Sequence, residues 1–228
     1  MKWGLFASDG SSLFPPTELA ALRIAIAGLT LLPVALRHWR KLNREQWLWV
    51  SLIGTVGSFI PAILFASAQT ALPSAMAGML NALSPIWTLL IGMAVFGVSI
   101  RRNQLGGIAV GFAGTIWLIH AQHSAGIDPE SATQSIFIPS LLLVAATVCY
   151  GLSVNVTREK LRGLKSPVIA ACSLGLVAIP ASIFFFAGDI PLLIATHPDG
   201  MRGFAAVAIL AAVGTAGALV LFNQLIAW

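Results

Sequence analysis

The chain has 228 residues, of which 57% are hydrophobic and only 9% are charged. A soluble domain carries about 25% charged residues because its surface faces water, so this composition excludes a soluble globule. The net charge of +5 would suggest nucleic-acid binding in a soluble protein. Here the basic residues lie in short loops between long apolar segments, which indicates membrane topology, and we predict no nucleic-acid partner.

The apolar residues form seven blocks of about 20 residues, the length that an α-helix needs to cross lipid. Backbone N–H and C=O groups cannot reach water inside lipid, so helices are the expected spanning structure. We therefore predict an all-α fold, a polytopic transmembrane helix bundle with seven spans. The predicted spans are α1 (16–36), α2 (46–67), α3 (73–98), α4 (103–120), α5 (136–157), α6 (166–187) and α7 (203–226).

Basic residues identify the cytoplasmic loops. Ten of the thirteen Lys and Arg residues occupy the α1–α2, α3–α4 and α5–α6 loops: Arg37, Arg40, Lys41, Arg44, Arg101, Arg102, Arg158, Lys160, Arg162 and Lys165. The α4–α5 and α6–α7 loops are mainly acidic. Basic loops remain in the cytoplasm, so we predict that α1 runs inward and that the α4–α5 loop lies outside, in a multi-pass protein of the plasma (inner) membrane.

A short motif recurs in two predicted helices. The pattern G-T-x-G occupies 54–57 in α2 and 214–217 in α7, five spans apart and in opposite predicted directions. The preceding helices, α1 and α6, each begin near one proline and contain another. A repeat with an odd number of spans must invert, which is the architecture of many secondary transporters. A chance match among small residues is the alternative.

Several stretches share their order and spacing with a known family: FPPTELAALR at 14–23, ALSPIW at 82–87, QLGG at 104–107, GFAG at 111–114 and LFN at 221–223. They resemble EamA-like transporters of the drug/metabolite transporter superfamily. The resemblance implies ten helices in two inverted five-helix repeats, with both chain ends in the cytoplasm.

On this resemblance, α1–α7 correspond to the family's helices two through eight. Residues 1–125 then form the first EamA-type repeat, which lacks most of its first helix. Residues 126–228 form the second repeat, which lacks its last two helices. The resemblance thus implies a chain truncated at both ends.

Polar side chains recur along α3 at steps of three and four residues. Asn81, Ser84 and Thr88 therefore share one helix face. Pro85 has no backbone N–H, so we expect the Asn81 carbonyl to lose its helical donor and to become able to coordinate a substrate. Small and hydroxylated residues also allow close helix packing, and the sequence leaves both interpretations open for these four residues.

Other candidate substrate-binding residues lie on the remaining spans. Gln69 belongs to a polar stripe on α2, and Tyr150 adjoins a stripe on α5 that contains Asn155; packing is the alternative for both stripes. Arg23 is the only basic residue well inside a predicted span, so it either anchors an anionic group or extends to the outer surface. Asn223 is included because of the resemblance of LFN in α7 to the equivalent helix of the second repeat.

The sequence shows no arrangement of residues suited to catalysis, so we predict that the protein is not an enzyme and has no cofactor. His120 and His123 lack a third ligand, so we predict no metal site. The leading hypothesis is a carrier for small metabolites, an exporter that works by alternating access. Its partners would be a small-molecule substrate, the lipid bilayer and, as a candidate, a second copy of the chain. The alternative is a truncated, non-transporting membrane component that binds a partner or has a structural role.

The charge pattern predicts the sidedness of each loop. Single cysteines introduced near Arg40 should react with an impermeant maleimide only from the cytoplasmic side, and those near Asp128 only from the outside. Labelling intact cells and inverted vesicles in parallel measures this. The opposite sidedness would contradict both the topology and the inverted repeat.

Overall fold

The computed structural model describes residues 13–99, nine positions within 104–117, and residues 129–226. This part of the chain is helical and contains no strand, which confirms the all-α prediction for the described residues. The spans are α1 Pro16–His38, α2 Arg44–Ala68, α3 Ser74–Phe96, α5 Pro129–Lys160, α6 Ser166–Ala187 and α7 Gly200–Leu225.

Six described helices are long and apolar enough to cross a membrane. The nine described positions of α4 are helical, but its full length lies outside the described residues, so the count of seven spans stays a prediction. Arg101, Arg102, His120, His123 and Asp128 also lie outside the described residues. A short helix, Ile190–Thr196, which we call the loop helix, joins α6 to α7 and was not predicted.

The centre of the bundle is the crossing of α1 and α6. Alanine dominates the buried cluster there, which also includes parts of α2 and α7. A Cβ added at Gly28 of α1 would collide with the side chain of Ala178 and would lie 2.6 Å from the carbonyl oxygen of Leu174. Lipid tails are as apolar as leucine, so helices in a membrane associate through close packing of small residues. This crossing has that composition.

The remaining central helices pack around this crossing in a reciprocal way. With the two ends of the bundle named inner and outer as the charge pattern predicts, the outer half of α2 (Ile60–Ala68) contacts α1, and its inner half (Arg44–Gly54) contacts α6. In α7 the outer half (Gly200–Ile209) contacts α1, and the inner half (Ala218–Ile226) contacts α6. These four contacts are related by a two-fold exchange. If α1 is exchanged with α6, α2 with α7, and the inner end with the outer end, the same four contacts result.

Two basic loops lie together at one end of the bundle. The Lys160 Nζ at the end of α5 lies 5.3 Å from the centroid of the Trp49 ring near the start of α2. Leu42 of the α1–α2 loop and Leu161 of the α5–α6 loop belong to the same buried cluster. The structure thus places these two loops at one end, as the charge pattern requires.

Glu18 organises the opposite end. Its Oε2 accepts hydrogen bonds from the backbone N–H groups of Asp189 (2.8 Å) and Ile190 (3.1 Å), at the start of the loop helix. A carboxylate is favoured at a helix N-terminus because the first N–H groups have no partners within the helix. Glu18 therefore fastens the α6–α7 connection to the start of α1.

Both G-T-x-G motifs lie where the helix widens into a π-helical turn. In α2 this turn covers Thr55–Phe59, and the Ile60 N–H bonds to the Thr55 oxygen five residues earlier. In α7 it covers Leu210–Gly217, and the Ala218 N–H contacts the Val213 oxygen, again five residues earlier. Such turns are uncommon and occur often at functional sites.

The α1–α6 crossing provides a matched test with two glycines. Gly28→Ala should lower the free energy of unfolding by about 1–3 kcal/mol because the added methyl collides with α6. Gly175→Ala should be neutral or stabilising, since its Cβ would meet only Ala35 at 3.5 Å. Unfolding in detergent micelles, followed by circular dichroism, measures both. Equal stabilities would contradict the packing described for Gly28.

Candidate functional site

Asn155 joins α5 to α3. Its side-chain Nδ2 donates to the Thr88 carbonyl oxygen (2.7 Å) and to the Gly151 oxygen (2.8 Å), and the residue is only 4% exposed. A Cβ added at Gly92 would lie 2.8 Å from Asn155 Oδ1, and one at Gly151 would lie 2.8 Å from the Thr88 nitrogen. Thr88 and Asn155 are thus brought together in a close helix crossing, which favours the packing interpretation for both.

The outer half of α3 is different. The α-helix ends at Asn81 and resumes at Ser84, and the Ser84 Oγ donates to the Asn81 backbone oxygen (2.7 Å). The prediction that Pro85 leaves this carbonyl without a donor is therefore wrong, because a side-chain hydroxyl replaces the missing N–H. The Asn81 Oδ1 lies 3.2 Å from the same Oγ, and the Asn81 residue is exposed.

Pro85 lies on a neighbouring face of α3. Together with α4 that face lines a cavity of about 250 Å³, formed by Ala82, Pro85, Ile86, Leu89, Gln104, Gly107 and Gly111. Asn81, Ser84 and Thr88 do not belong to this lining. The residues predicted as one site on α3 are thus divided between two faces.

Two further candidates, Arg23 and Tyr150, lie on α1 and α5. The two side chains are close enough to interact electrostatically, and both residues are half-buried. The Tyr150 ring lies 6.0 Å, centroid to centroid, from the ring of Phe65 on α2. Gln69 lies one turn beyond Phe65 and is half-buried at the end of α2. Sequence analysis singled out Arg23 and Tyr150 separately but not Phe65, because aromatic residues are common in apolar spans.

Asn223 lies apart from the other candidates, towards the inner end. Its Nδ2 donates to the Leu219 oxygen of its own helix (3.0 Å), and the residue is 3% exposed. It lines a cavity of about 550 Å³ with Arg158 and Arg162, and Arg162 is paired with Glu159 (2.8 Å). The structure does not bring Asn223 near Arg23 or Asn81.

These contacts and the long apolar helices define a multi-pass α-helical membrane protein. Within the described residues, His, Cys, Asp and Glu side chains form no group that could hold a metal ion. The EamA-like transporter family matches residues 3–120, just over half of the 228-residue chain. The chain belongs to this family, which confirms the resemblance seen in the sequence.

Two individual proteins extend this comparison. The aromatic amino acid exporter YddG of Ancylobacter novellus is 27% identical over 179 residues. That match covers 77% of this chain and 60% of the relative, so the chain spans about 60% of the relative's length. A crystal structure with 19% sequence identity superposes with a TM-score of 0.55, covering 94% of this chain and 87% of the other; this likeness concerns the fold alone.

The α3–α5 contact can be tested by removing the Asn155 amide. Asn155→Ala should lower the free energy of unfolding by about 1–2 kcal/mol, since a hydrogen bond between membrane helices is lost. Thr157→Val is the matched control on α5, because the Thr157 hydroxyl bonds only to Ser153 O of its own helix (2.8 Å). Unfolding in micelles should show a lower free energy of unfolding for Asn155→Ala than for Thr157→Val. Equal losses of unfolding free energy in the two variants would mean that the hydrogen bond between α3 and α5 adds nothing to stability.

Proposed function

We propose that the protein is a carrier that exports small amphipathic metabolites across the plasma membrane by alternating access. The observation that carries this proposal is the reciprocal packing of α1 and α2 against α6 and α7. An inverted repeat can exchange the conformations of its two halves, which closes one entrance while opening the other. The exchange symmetry of the contacts supports this inversion and the division into repeats at 1–125 and 126–228.

The two π-helical turns give this scaffold a place to bend. A π turn widens the helix and interrupts its regular hydrogen bonds, so less energy is needed to change the local direction there. The turns lie at the same motif in α2 and α7, and each adjoins the central crossing. In α2, a Cβ added at Gly57 would collide with the side chain of Ser153 of α5, so the two helices pack closely there. Bending at Thr55–Phe59 would therefore shift α2 relative to α5.

The substrate proposal draws on the relative named as an aromatic amino acid exporter. Within the described spans the interior offers an aromatic pair, Phe65 and Tyr150, and one half-buried basic residue well inside a helix, Arg23. This combination suits a small molecule with an aromatic ring and a polar end. We therefore propose aromatic amino acids as the first compounds to test. The Asn81 side chain is the proposed polar contact on α3.

Transport by the 228-residue chain can be measured directly. Purified protein in liposomes should accelerate the efflux of radiolabelled phenylalanine above that from protein-free liposomes. Asn81→Leu should lower this flux about tenfold if its amide contacts the substrate, the loss expected for about 1.4 kcal/mol at one hydrogen-bonding group. Thr70→Val, a polar change at the exposed α2–α3 connection, should retain normal flux.

The outcomes separate the alternatives. Normal flux in Asn81→Leu would remove this residue from the pathway and leave the carrier intact. If the wild-type chain moves neither phenylalanine nor other amphipathic metabolites, the carrier proposal is wrong for this chain. The competing hypothesis, a membrane component that binds a partner, would then be the better explanation.

A further inference from the structure

A cavity at the inner end of the bundle has both charged and apolar walls. It lies between α5, the α5–α6 loop, α6 and α7, and its volume is about 550 Å³. Small-molecule sites in proteins have volumes of about 300–1,000 Å³, so the cavity is large enough for a ligand. The α5–α6 loop is one of the two basic loops that lie together at this end, which the charge pattern assigns to the cytoplasmic side.

The charged wall carries one positive charge that the described chain does not neutralise. Arg158 and Arg162 both line the cavity. The Arg162 Nη2 donates to both carboxylate oxygens of Glu159 (2.8 Å each), and its Nε donates to the Arg158 backbone oxygen (3.0 Å). Among the described residues, no carboxylate pairs with the Arg158 guanidinium, which is exposed. A monoanion bound in the cavity would therefore meet one uncompensated cation.

Asn223 presents an unused acceptor to the same cavity. The residue lines the cavity, is only 3% exposed, and its Nδ2 donates to the Leu219 oxygen of its own helix (3.0 Å). No group in the described part of the chain donates to the Asn223 Oδ1. An amide oxygen that is shielded from bulk water and has no donor costs free energy. A ligand hydroxyl that donated to this oxygen would remove the cost.

The apolar wall extends from the core to the surface of the bundle. Leu161 and Ile169 line the cavity and are buried, with 2% and 4% of their surface exposed. Leu225 of α7 also lines it and is 71% exposed. The exposed apolar side chains of a spanning helix face lipid, so the cavity has a side that acyl chains can reach.

We propose that this cavity binds an anionic phospholipid that has one phosphodiester charge and a hydroxylated headgroup. Phosphatidylglycerol has this chemistry. The Arg158 guanidinium donates to the phosphate, the Asn223 Oδ1 accepts from a headgroup hydroxyl, and an acyl chain packs along Leu225. Basic pockets between helices on the cytoplasmic side of membrane proteins bind headgroups of this kind. The proposal does not depend on transport, so the lipid site and the carrier function can each fail without the other.

The first experiment measures the binding of single lipids to the purified 228-residue chain in non-ionic micelles, by native mass spectrometry and thermal stabilisation. Phosphatidylglycerol should bind more tightly than zwitterionic phosphatidylcholine. Arg158→Gln should weaken phosphatidylglycerol binding at least about fivefold, since a basic residue near an anionic lipid contributes about 1 kcal/mol. Arg37→Gln is the matched control, because it removes the same charge from an exposed position at the inner end of α1, outside the cavity lining. It should bind phosphatidylglycerol as wild type does.

The second experiment tests the headgroup hydroxyl with phosphatidylmethanol, which has the same single charge but no hydroxyl. Wild type should bind phosphatidylglycerol more tightly than phosphatidylmethanol. Asn223→Leu should bind the two lipids equally, because it removes the acceptor and keeps a similar volume. The variant should fold, since the only hydrogen bond that it loses lies within its own helix.

Four outcomes would overturn the lipid site. Equal binding of phosphatidylglycerol and phosphatidylcholine by wild type would exclude a site for an anionic lipid. Equal losses in Arg158→Gln and Arg37→Gln would mean that general charge attraction, and not the cavity, binds the lipid. If glycerophosphoglycerol or inorganic phosphate binds as tightly as phosphatidylglycerol, the cavity is a site for soluble anions. If Asn223→Leu still prefers phosphatidylglycerol to phosphatidylmethanol, the headgroup contact is wrong.

Discussion

In lipid, two apolar helices gain little from burying their side chains against each other, because the lipid tails are equally apolar. Their association therefore depends on how closely their backbones approach. The crossing of α1 and α6 meets that requirement with Gly28 and a cluster made mostly of alanine. The outer half of α2 and the inner half of α7 pack on opposite partners of this pair. The reciprocal arrangement of the central helices therefore depends on one close contact, and larger side chains at the crossing would separate both halves.

The same medium makes each polar group costly unless it has a partner, and this explains where most polar side chains are used. Asn155 holds α3 against α5, Ser84 replaces the backbone donor lost at Pro85, and Glu18 caps the loop helix. These three polar groups stabilise the fold.

Close packing and irregular hydrogen bonding occur next to each other on the same helices. The alanine-rich crossing is closely packed, whereas the π-helical turns at Thr55–Phe59 and Leu210–Gly217 interrupt regular hydrogen bonding next to it. A carrier needs both properties, because its two halves must move as units while a few turns absorb the change. The recurrence of the turn at both G-T-x-G motifs connects a four-residue pattern in the sequence to the same irregular hydrogen bonding in two helices.

The sequence by itself determined the class of fold, the approximate ends of six described spans and the shared side of two basic loops. These features follow from local hydrophobicity and charge, which need no knowledge of neighbouring helices. Only the tertiary structure decided the roles of the polar residues: Thr88 and Asn155 pack, the Asn81 carbonyl accepts from Ser84, and Glu18 caps the loop helix. The physical reason is that helical periodicity indicates which face a residue occupies, whereas its partner depends on which helix covers that face. Partner choice inside lipid is a property of the packed bundle.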